Sequence, residues 1–153
     1  ARVGDVNGDG REDVVFTSPT QTQDGSEFIV GQAYVLYGRR SNQTWNASGV
    51  LDLDKMGSDF GFKVQPDALS TRFGTNLASL GDVNGDGAPD FAVAAPFALS
   101  SKGAVHVVFG RGPGAGAFQL DGNNRLLLSS SFLAGSTGGF TVAGVADAGQ
   151  LGA

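Results

Sequence analysis

The stretch GDVNGDGREDVVF (residues 4–16) returns almost unchanged as GDVNGDGAPDFAV (residues 81–93), 77 residues further along a chain of 153. In both copies oxygen-bearing side chains fall on alternate residues, a glycine lies in the middle, and an apolar run follows. A pattern written twice at this separation is typical of a structural repeat. The stretch therefore predicts a polar loop that leads into a buried strand, present once in each of two units.

Negative charge is concentrated in these two stretches. The formal net charge is −5, and six aspartates among the fifteen acidic residues lie in the two copies: Asp5, Asp9, Asp13, Asp82, Asp86 and Asp90. Carboxylates packed this closely repel one another unless a cation lies between them. Two divalent cations add four positive charges, which brings −5 to −1. The clustering therefore favours two bound metal ions over an ordinary acidic surface.

The spacing of the oxygen ligands indicates calcium. Calcium takes six to eight hard oxygen ligands from carboxylates, amides and backbone carbonyls, whereas magnesium demands tighter octahedral geometry. We predict that the first site uses Asp5, Asn7, Asp9, the carbonyl of Arg11, and Asp13, with the Arg11 side chain pointing away. We predict that the second uses Asp82, Asn84, Asp86, the carbonyl of Ala88, and Asp90. The alternative is a metal-free Asn-Gly or Asp-Gly turn, which would not explain four ligand positions filled twice.

The loops are not EF-hands. An EF-hand needs a glutamate at position 12 of the loop and a helix on each side, but position 12 is Phe16 in one copy and Val93 in the other. The segments that follow, DVVFTSP and DFAVAAP, are rich in β-branched, aromatic and small residues and end at a proline. Such segments are typical of buried strands. Each loop is therefore expected to join two strands.

Other parts of the chain repeat as well. GQAYVLYGR (residues 31–39) matches GAVHVVFGR (residues 103–111), and the end of the chain contains a degenerate third copy. We expect three units: residues 1–72 without an opening strand, a complete unit at 73–137, and the start of a third at 138–153. The complete unit is expected to hold four strands, at 73–80, 90–95, 104–109 and 125–128. Tandem four-stranded antiparallel sheets are the blades of a β-propeller; the alternative is a single antiparallel β-sandwich.

Several classes of function are disfavoured by composition. The acidic balance argues against a nucleic-acid partner, which needs a basic patch, and no apolar run approaches the roughly 18 residues of a membrane-spanning helix. No cysteine is present, so there is no thiolate metal site or cysteine nucleophile. The single histidine, His106, falls at an ordinary strand position equivalent to Tyr34, and no catalytic constellation can be assembled. We therefore expect no enzymatic activity.

One loop carries two further signals. Asn42 and Asn46 each begin an N-glycosylation sequon, and Trp45 lies between them. The sequons are permissive for a glycoprotein from a eukaryotic secretory source. Trp45 is an aromatic that could serve recognition of a sugar, although packing in the core is the more ordinary role.

Phe73-Gly74, the loop with its following AAP (residues 94–96), and the later GAVHVVFGR together resemble an FG-GAP repeat. That repeat is the blade of integrin α-subunit propellers and of many surface proteins, and the similarity covers essentially the whole chain. The Gly-Ala-Pro of the family name is replaced here by AAP and, in the first copy, by TSP (residues 17–19). The resemblance implies strand-loop-strand calcium sites, a propeller fold and an extracellular or cell-surface location.

The resemblance also implies a role. About two blades cannot close a ring of four to eight, so we expect other blades or other chains to complete it. The expected function is a calcium-stabilised structural or adhesive module that binds an extracellular protein or glycan. Two alternatives stay open: a lectin-like carbohydrate-binding module, and an accessory propeller of a larger secreted enzyme.

Overall fold

The computed structural model describes residues 1–22, 29–40, 49–66, 71–112 and 114–128. It confirms the all-β prediction. One sheet has five strands in the order β1 (Arg2–Gly4), β2 (Asp13–Ser18), β3 (Gln32–Leu36), β4 (Gly61–Pro66) and β8 (Arg125–Leu128). The other has three, in the order β5 (Leu77–Gly81), β6 (Asp90–Ala95) and β7 (Ala104–Val108). The helical segments in the described residues are a 3₁₀ turn, Leu53–Lys55, and the single-turn helix α1, Ala98–Ser101.

The two sheets are built from successive repeats. Strands β1 to β4 form one antiparallel sheet and β5 to β7 form the other. Apart from β8, each sheet therefore takes consecutive strands, whereas a Greek-key sandwich passes strands back and forth between its sheets throughout. The arrangement is that of neighbouring propeller blades, and the described strands do not close a ring.

Two expectations about individual strands need correction. The first unit was expected to lack an opening strand, yet β1 pairs with β2. The segment Arg125–Leu128 was expected to be the fourth strand of the second unit, but it pairs in parallel with β4 of the first sheet. The connection from β7 spans residues 109–124, which is long enough for a crossover to a parallel neighbour. The pairing buries Leu126 and Leu128 in the core.

One apolar core joins the sheets. The first sheet contributes Val15, Val35 and Val64, while the second contributes Phe91 and Val93, all of them fully buried. Alternation of side chains along each strand directs these residues to the facing sides of the sheets. The two units therefore stabilise each other. Each Å² of apolar surface removed from water contributes about 25 cal/mol to the free energy of folding.

Phe73 and Gly74 lie where the second unit meets the first. The Phe73 side chain is fully buried, and its amide donates to the carbonyl of Val30 at 3.1 Å. Gly31 packs so closely on the Phe73 backbone that a Cβ atom would overlap the carbonyl oxygen. The Phe-Gly pair thus attaches one repeat to the turn that precedes β3 of the other.

Candidate metal-binding loops

The two acidic loops occupy equivalent places in the two sheets. The first runs from Asp5 to Asp13 between β1 and β2, and the second from Asp82 to Asp90 between β5 and β6. In both, a register shift interrupts the strand pairing just before the loop, at Gly4 and Gly81. The expectation that each loop joins two adjacent antiparallel strands is therefore confirmed.

Side-chain oxygens hold both loops in shape through the same hydrogen bonds. Six backbone-to-side-chain bonds of the first loop recur in the second, with donor–acceptor distances between 2.7 and 3.1 Å. Asx-type bonds of this kind stabilise tight turns. The repeated sequence thus produces a repeated conformation, and every predicted side-chain ligand takes part in it.

The first, third and fifth positions converge. The amide of Asp9 lies 2.9 Å from Asp5 Oδ1 and 3.0 Å from Asn7 Oδ1. In the second loop the amide of Asp86 lies 3.1 Å from Asp82 Oδ1 and 3.0 Å from Asn84 Oδ1. Two side-chain oxygens therefore meet at one backbone amide in each loop, on the inner side of the turn.

The last aspartate of each loop is fully buried. Asp13 accepts hydrogen bonds from the amides of Val6 at 2.9 Å and Gly38 at 2.8 Å. Asp90 accepts from Val83 and Gly110, both at 2.8 Å. Gly38 and Gly110 belong to the two repeated Gly-Arg motifs, whose contact with the loops was not predicted from the sequence. Their recurrence after equivalent strands was the signal available.

Burial makes the ionised carboxylate of Asp13 costly. Burial raises the pKa of its carboxyl to about 6, while the hydrogen bonds from Gly38 and Val6 lower it and the charges of Asp9 and Asp5 raise it further. Burial and like charge both disfavour an ionised carboxylate. A cation among these groups would relieve that cost.

The loops differ at their seventh position. The Arg11 side chain was expected to point away, but its Nη1 lies 3.2 Å from Asp9 Oδ2. Ala88 has no such group, and in the second loop Asn84 Nδ2 donates to Asp86 Oδ2 at 3.0 Å. The amides of Arg11 and Ala88 donate to Asp9 and Asp86; the role of their carbonyls as ligands stays a prediction. Because of its ion pair with Asp9, the Arg11 guanidinium partly neutralises the negative charge of the first loop.

The donor set suits a hard cation, although the side chains are directed at amides. Within the described residues, no group of three or more histidine or acidic side chains is arranged to hold a metal ion. The oxygens of Asp5 and Asp13 instead accept backbone N–H groups. A carboxylate oxygen that accepts one such bond keeps a second lone pair. The chemistry of the loops thus fits calcium, and binding would require a modest rearrangement of side chains.

Other residues singled out by sequence lie elsewhere. His106 is buried in β7, and its ring meets Phe73 edge-on at 5.4 Å between centroids. Asn42, Trp45 and Asn46 lie outside the described residues, as does the third repeat at 138–153. Across the described ranges, no helix has the length and apolar character needed to cross a membrane.

Comparison with known proteins supports the repeat assignment. The FG-GAP repeat model matches residues 73–108. Integrin alpha-IIb from Homo sapiens is 32% identical over 149 residues, which is 95% of this chain and 13% of the relative. Integrin alpha-PS2 from Drosophila melanogaster is 31% identical over 151 residues, covering 94% of this chain and 10% of the relative.

A second group of relatives consists of phospholipases D. Phosphatidylinositol-glycan-specific phospholipase D from Homo sapiens is 41% identical over 110 residues, which is 69% of this chain and 12% of the relative. The chain thus spans between 10% and 13% of the length of these three curated relatives. Residues 73–108 thus match an FG-GAP repeat, and the chain is similar to integrin α subunits over nearly all of its length.

Proposed function

We propose that this chain is a calcium-stabilised part of an extracellular β-propeller with a structural and adhesive, protein-binding role. The observation that carries the proposal is the set of six hydrogen bonds shared by the two acidic loops. A turn that needed only Asn-Gly chemistry would not require buried aspartates at its end. Two calcium ions, one for each loop, account for this repeated donor set.

Within each loop, some residues would supply ligand oxygens and the last aspartate would anchor the turn. Asp5, Asn7 and Asp9 would offer side-chain oxygens from one turn, and Asp13 would tie that turn to Gly38 at the end of β3. The ion would supply positive charge where carboxylates crowd one another. Because the unfolded chain cannot hold these ligands together, the binding free energy would add to the stability of the fold.

The extracellular location that we propose rests on the calcium affinity typical of such loops. Calcium loops of extracellular modules have a Kd of about 10⁻⁴–10⁻³ M, which matches the calcium concentration outside cells and exceeds that in the cytosol. Loops that depend on calcium for stability would therefore be filled at the cell surface or in secretions. Glycosylation at Asn42 and Asn46 would agree with that location.

The partners we propose are first of all other blades. The described strands form two sheets without a closed ring, and a propeller requires at least about four blades. Other parts of a longer chain, or other chains, would complete it. A completed ring would then present its loops to an extracellular protein or glycan.

A second candidate rests on the phospholipase D relatives. The identity of 41% over 110 residues favours an accessory propeller of a larger secreted enzyme as the alternative. In both cases we propose that the described residues themselves take no part in catalysis.

The test of the proposal is a count of calcium sites by isothermal titration calorimetry. We expect two sites for the unaltered chain and one site each for Asp9→Ala and Asp86→Ala, because each variant removes a central ligand from one loop. Asp59→Ala removes an exposed acidic group far along the chain from both loops and should keep two sites. Absence of calcium binding in the folded chain would contradict the proposal.

A further inference from the structure

The face of the first sheet that points away from the core contains a polar cavity. Its volume is about 430 Å³, within the range of small-molecule sites. The walls come from β3, β4, β8 and the 3₁₀ turn, and the residues that matter most are Gln32, Asp54, Lys63, Gln65, Asn123 and Arg125. The acidic loops do not line it, so it is a separate feature.

Two buried glutamines form its floor. The register pairs Ala33 with Val64, which places Gln32 and Gln65 opposite one another on adjacent strands. Gln32 is 6% exposed and Gln65 is 5% exposed. Burial of amide side chains this complete is uncommon and normally requires hydrogen-bond partners.

Gln65 uses its carbonyl oxygen, which accepts from Arg125 Nη1 at 3.2 Å. Gln32 Oε1 lies 3.4 Å from Tyr34 Oη, whose single proton makes the shorter bond to Asp54 Oδ1 at 3.1 Å. Among the residues that the structure describes, neither amide nitrogen has a hydrogen-bond partner. Both NH₂ groups therefore remain as donors at the cavity.

The second repeat shows what this face looks like when protein covers it. Alignment of Gly31 with Gly103 makes Gln32 equivalent to Ala104, and alignment of Asp13 with Asp90 makes Ser18 equivalent to Ala95. Ala95 and Ala104 are buried in the core against the first sheet. The first repeat thus has polar groups at two positions where the second has small apolar residues, so these two positions favour hydrogen-bonded contacts over close apolar packing.

Charges around the cavity are balanced. Lys63 Nζ donates to the backbone carbonyl of Asp54 at 2.9 Å, and Arg125 is paired with Asp121 at 2.9 Å. Burial raises the pKa of the Asp121 carboxyl, but its hydrogen bonds, above all that from the Arg125 side chain, lower it by more, so the net shift is downward. Two basic and two acidic side chains leave no net charge for an ionic ligand. The remaining groups are amides, which both donate and accept hydrogen bonds.

We propose that this cavity binds an uncharged carbohydrate, of the size of a monosaccharide or the end of a glycan. Hydroxyl groups donate and accept in the same way as amides, so they can satisfy the Gln32 and Gln65 nitrogens and the Asn123 side chain together. Met56, buried at 3% exposure, supplies an apolar surface for the C–H groups of a sugar ring. The site acts independently of calcium binding by the loops.

The test follows the side-chain NH₂ signals of Gln32 and Gln65 by NMR, in the full chain with calcium present. Their assignment comes from the loss of one signal pair in Gln32→Leu and of another in Gln65→Leu. The probes are D-glucose, D-galactose, D-mannose and N-acetyl-D-glucosamine, with inorganic phosphate and triglycine as the competing chemistries. We expect at least one sugar to shift both signal pairs saturably.

Variants then locate the binding. Gln65→Leu should weaken it about tenfold, as expected for loss of one or two hydrogen bonds. Asn123→Ala changes an exposed residue of the cavity and should weaken binding measurably even if Gln65→Leu folds poorly. Ser79→Ala, exposed on β5, should bind as the unaltered chain does. The proposal is overturned if no sugar shifts the signals, if phosphate or triglycine saturates them instead, or if Asn123→Ala and folded Gln65→Leu bind unchanged.

Discussion

The amide of Gly110 donates to the buried carboxylate of Asp90 at 2.8 Å, and so connects the end of β7 with the end of the second acidic loop. The next residue, Arg111, donates its amide to the carbonyl of Val6 at 2.7 Å. Val6 in turn donates to Asp13. A continuous hydrogen-bonded path therefore links the two loops, and the second Gly-Arg motif forms part of it.

This contact requires glycine at position 110. A Cβ atom there would overlap the carbonyl oxygen of Pro89, so Gly110→Ala should separate the chain from Asp90. We expect it to lower the free energy of unfolding by roughly 2–5 kcal/mol, from overpacking and the weakened bond to the carboxylate. Urea denaturation measures the effect.

The matched control is Gly122→Ala. Gly122 has open space within 4 Å of the added methyl group, and its stability should change by less than about 1 kcal/mol. Equal losses for the two variants would show that the tight contact at Gly110 does not matter.

The junction between repeats gives a second prediction. Gly31 has φ of +82° and a Cβ atom there would overlap the Phe73 backbone, whereas Gly103 has the same φ of +82° and only an ordinary contact of 3.5 Å to the Pro96 carbonyl. Gly31→Ala should cost about 2–5 kcal/mol, and Gly103→Ala about 1–2 kcal/mol for the left-handed backbone alone. The difference measures how firmly Phe73 joins the units, and equal costs would argue against that junction.

Much of this architecture could be predicted from the repeated sequence. The alternation of oxygen-bearing residues and the apolar runs predicted the loops and β6, since short-range spacing determines both. Arg125–Leu128 was assigned to the wrong neighbour, because pairing of a short strand after a long connection depends on which core receives Leu126 and Leu128. The Arg11–Asp9 ion pair and the opposed Gln32 and Gln65 depend on side-chain direction and cross-strand register, which the pattern alone does not specify.

The ion pair at Arg11 predicts unequal calcium sites. The Arg11 guanidinium is paired with Asp9 Oδ2, so calcium must compete with an arginine for this oxygen in the first loop but not in the second. Arg11→Ala should strengthen binding there by up to about fivefold, the value of a partly exposed ion pair. Calorimetry at low salt measures this.

Lys55→Ala provides the control for charge. It removes the same unit of charge from an exposed pair with Asp52, whose carboxyl pKa is lowered by the hydrogen bond from Lys55. Calcium affinity should then change little. A weaker first site in Arg11→Ala would mean that the arginine assists binding.

The two tyrosines predict that the protein loses stability at alkaline pH. Burial raises the pKa of Tyr34 to about 12, with a further contribution from Asp54, and burial followed by the charges of Asp13 and Asp9 raises that of Tyr37. Unfolded tyrosine ionises near pH 10. Between about pH 10 and 12 the unfolded chain loses protons that the folded chain keeps, so stability should fall as pH rises through that window.

Ultraviolet absorbance of phenolate measures this titration directly, since the chain has only two tyrosines. Asp54→Asn removes the negative charge from the group that accepts the Tyr34 hydroxyl at 3.1 Å and should lower the pKa of Tyr34, while burial still keeps it above 10. Ionisation of both tyrosines near pH 10 in the folded chain would contradict the buried positions assigned to them.

The most direct test of the central claim is the melting temperature with about 2 mM calcium and with excess EGTA. At a Kd of about 10⁻⁴–10⁻³ M for each site, calcium should raise it by roughly 4–12 °C. Asp86→Ala should lose about half of that gain, and Asp59→Ala should keep all of it. Coincident melts in calcium and EGTA would contradict the account, because the acidic loops would then be turns that hold their shape without an ion.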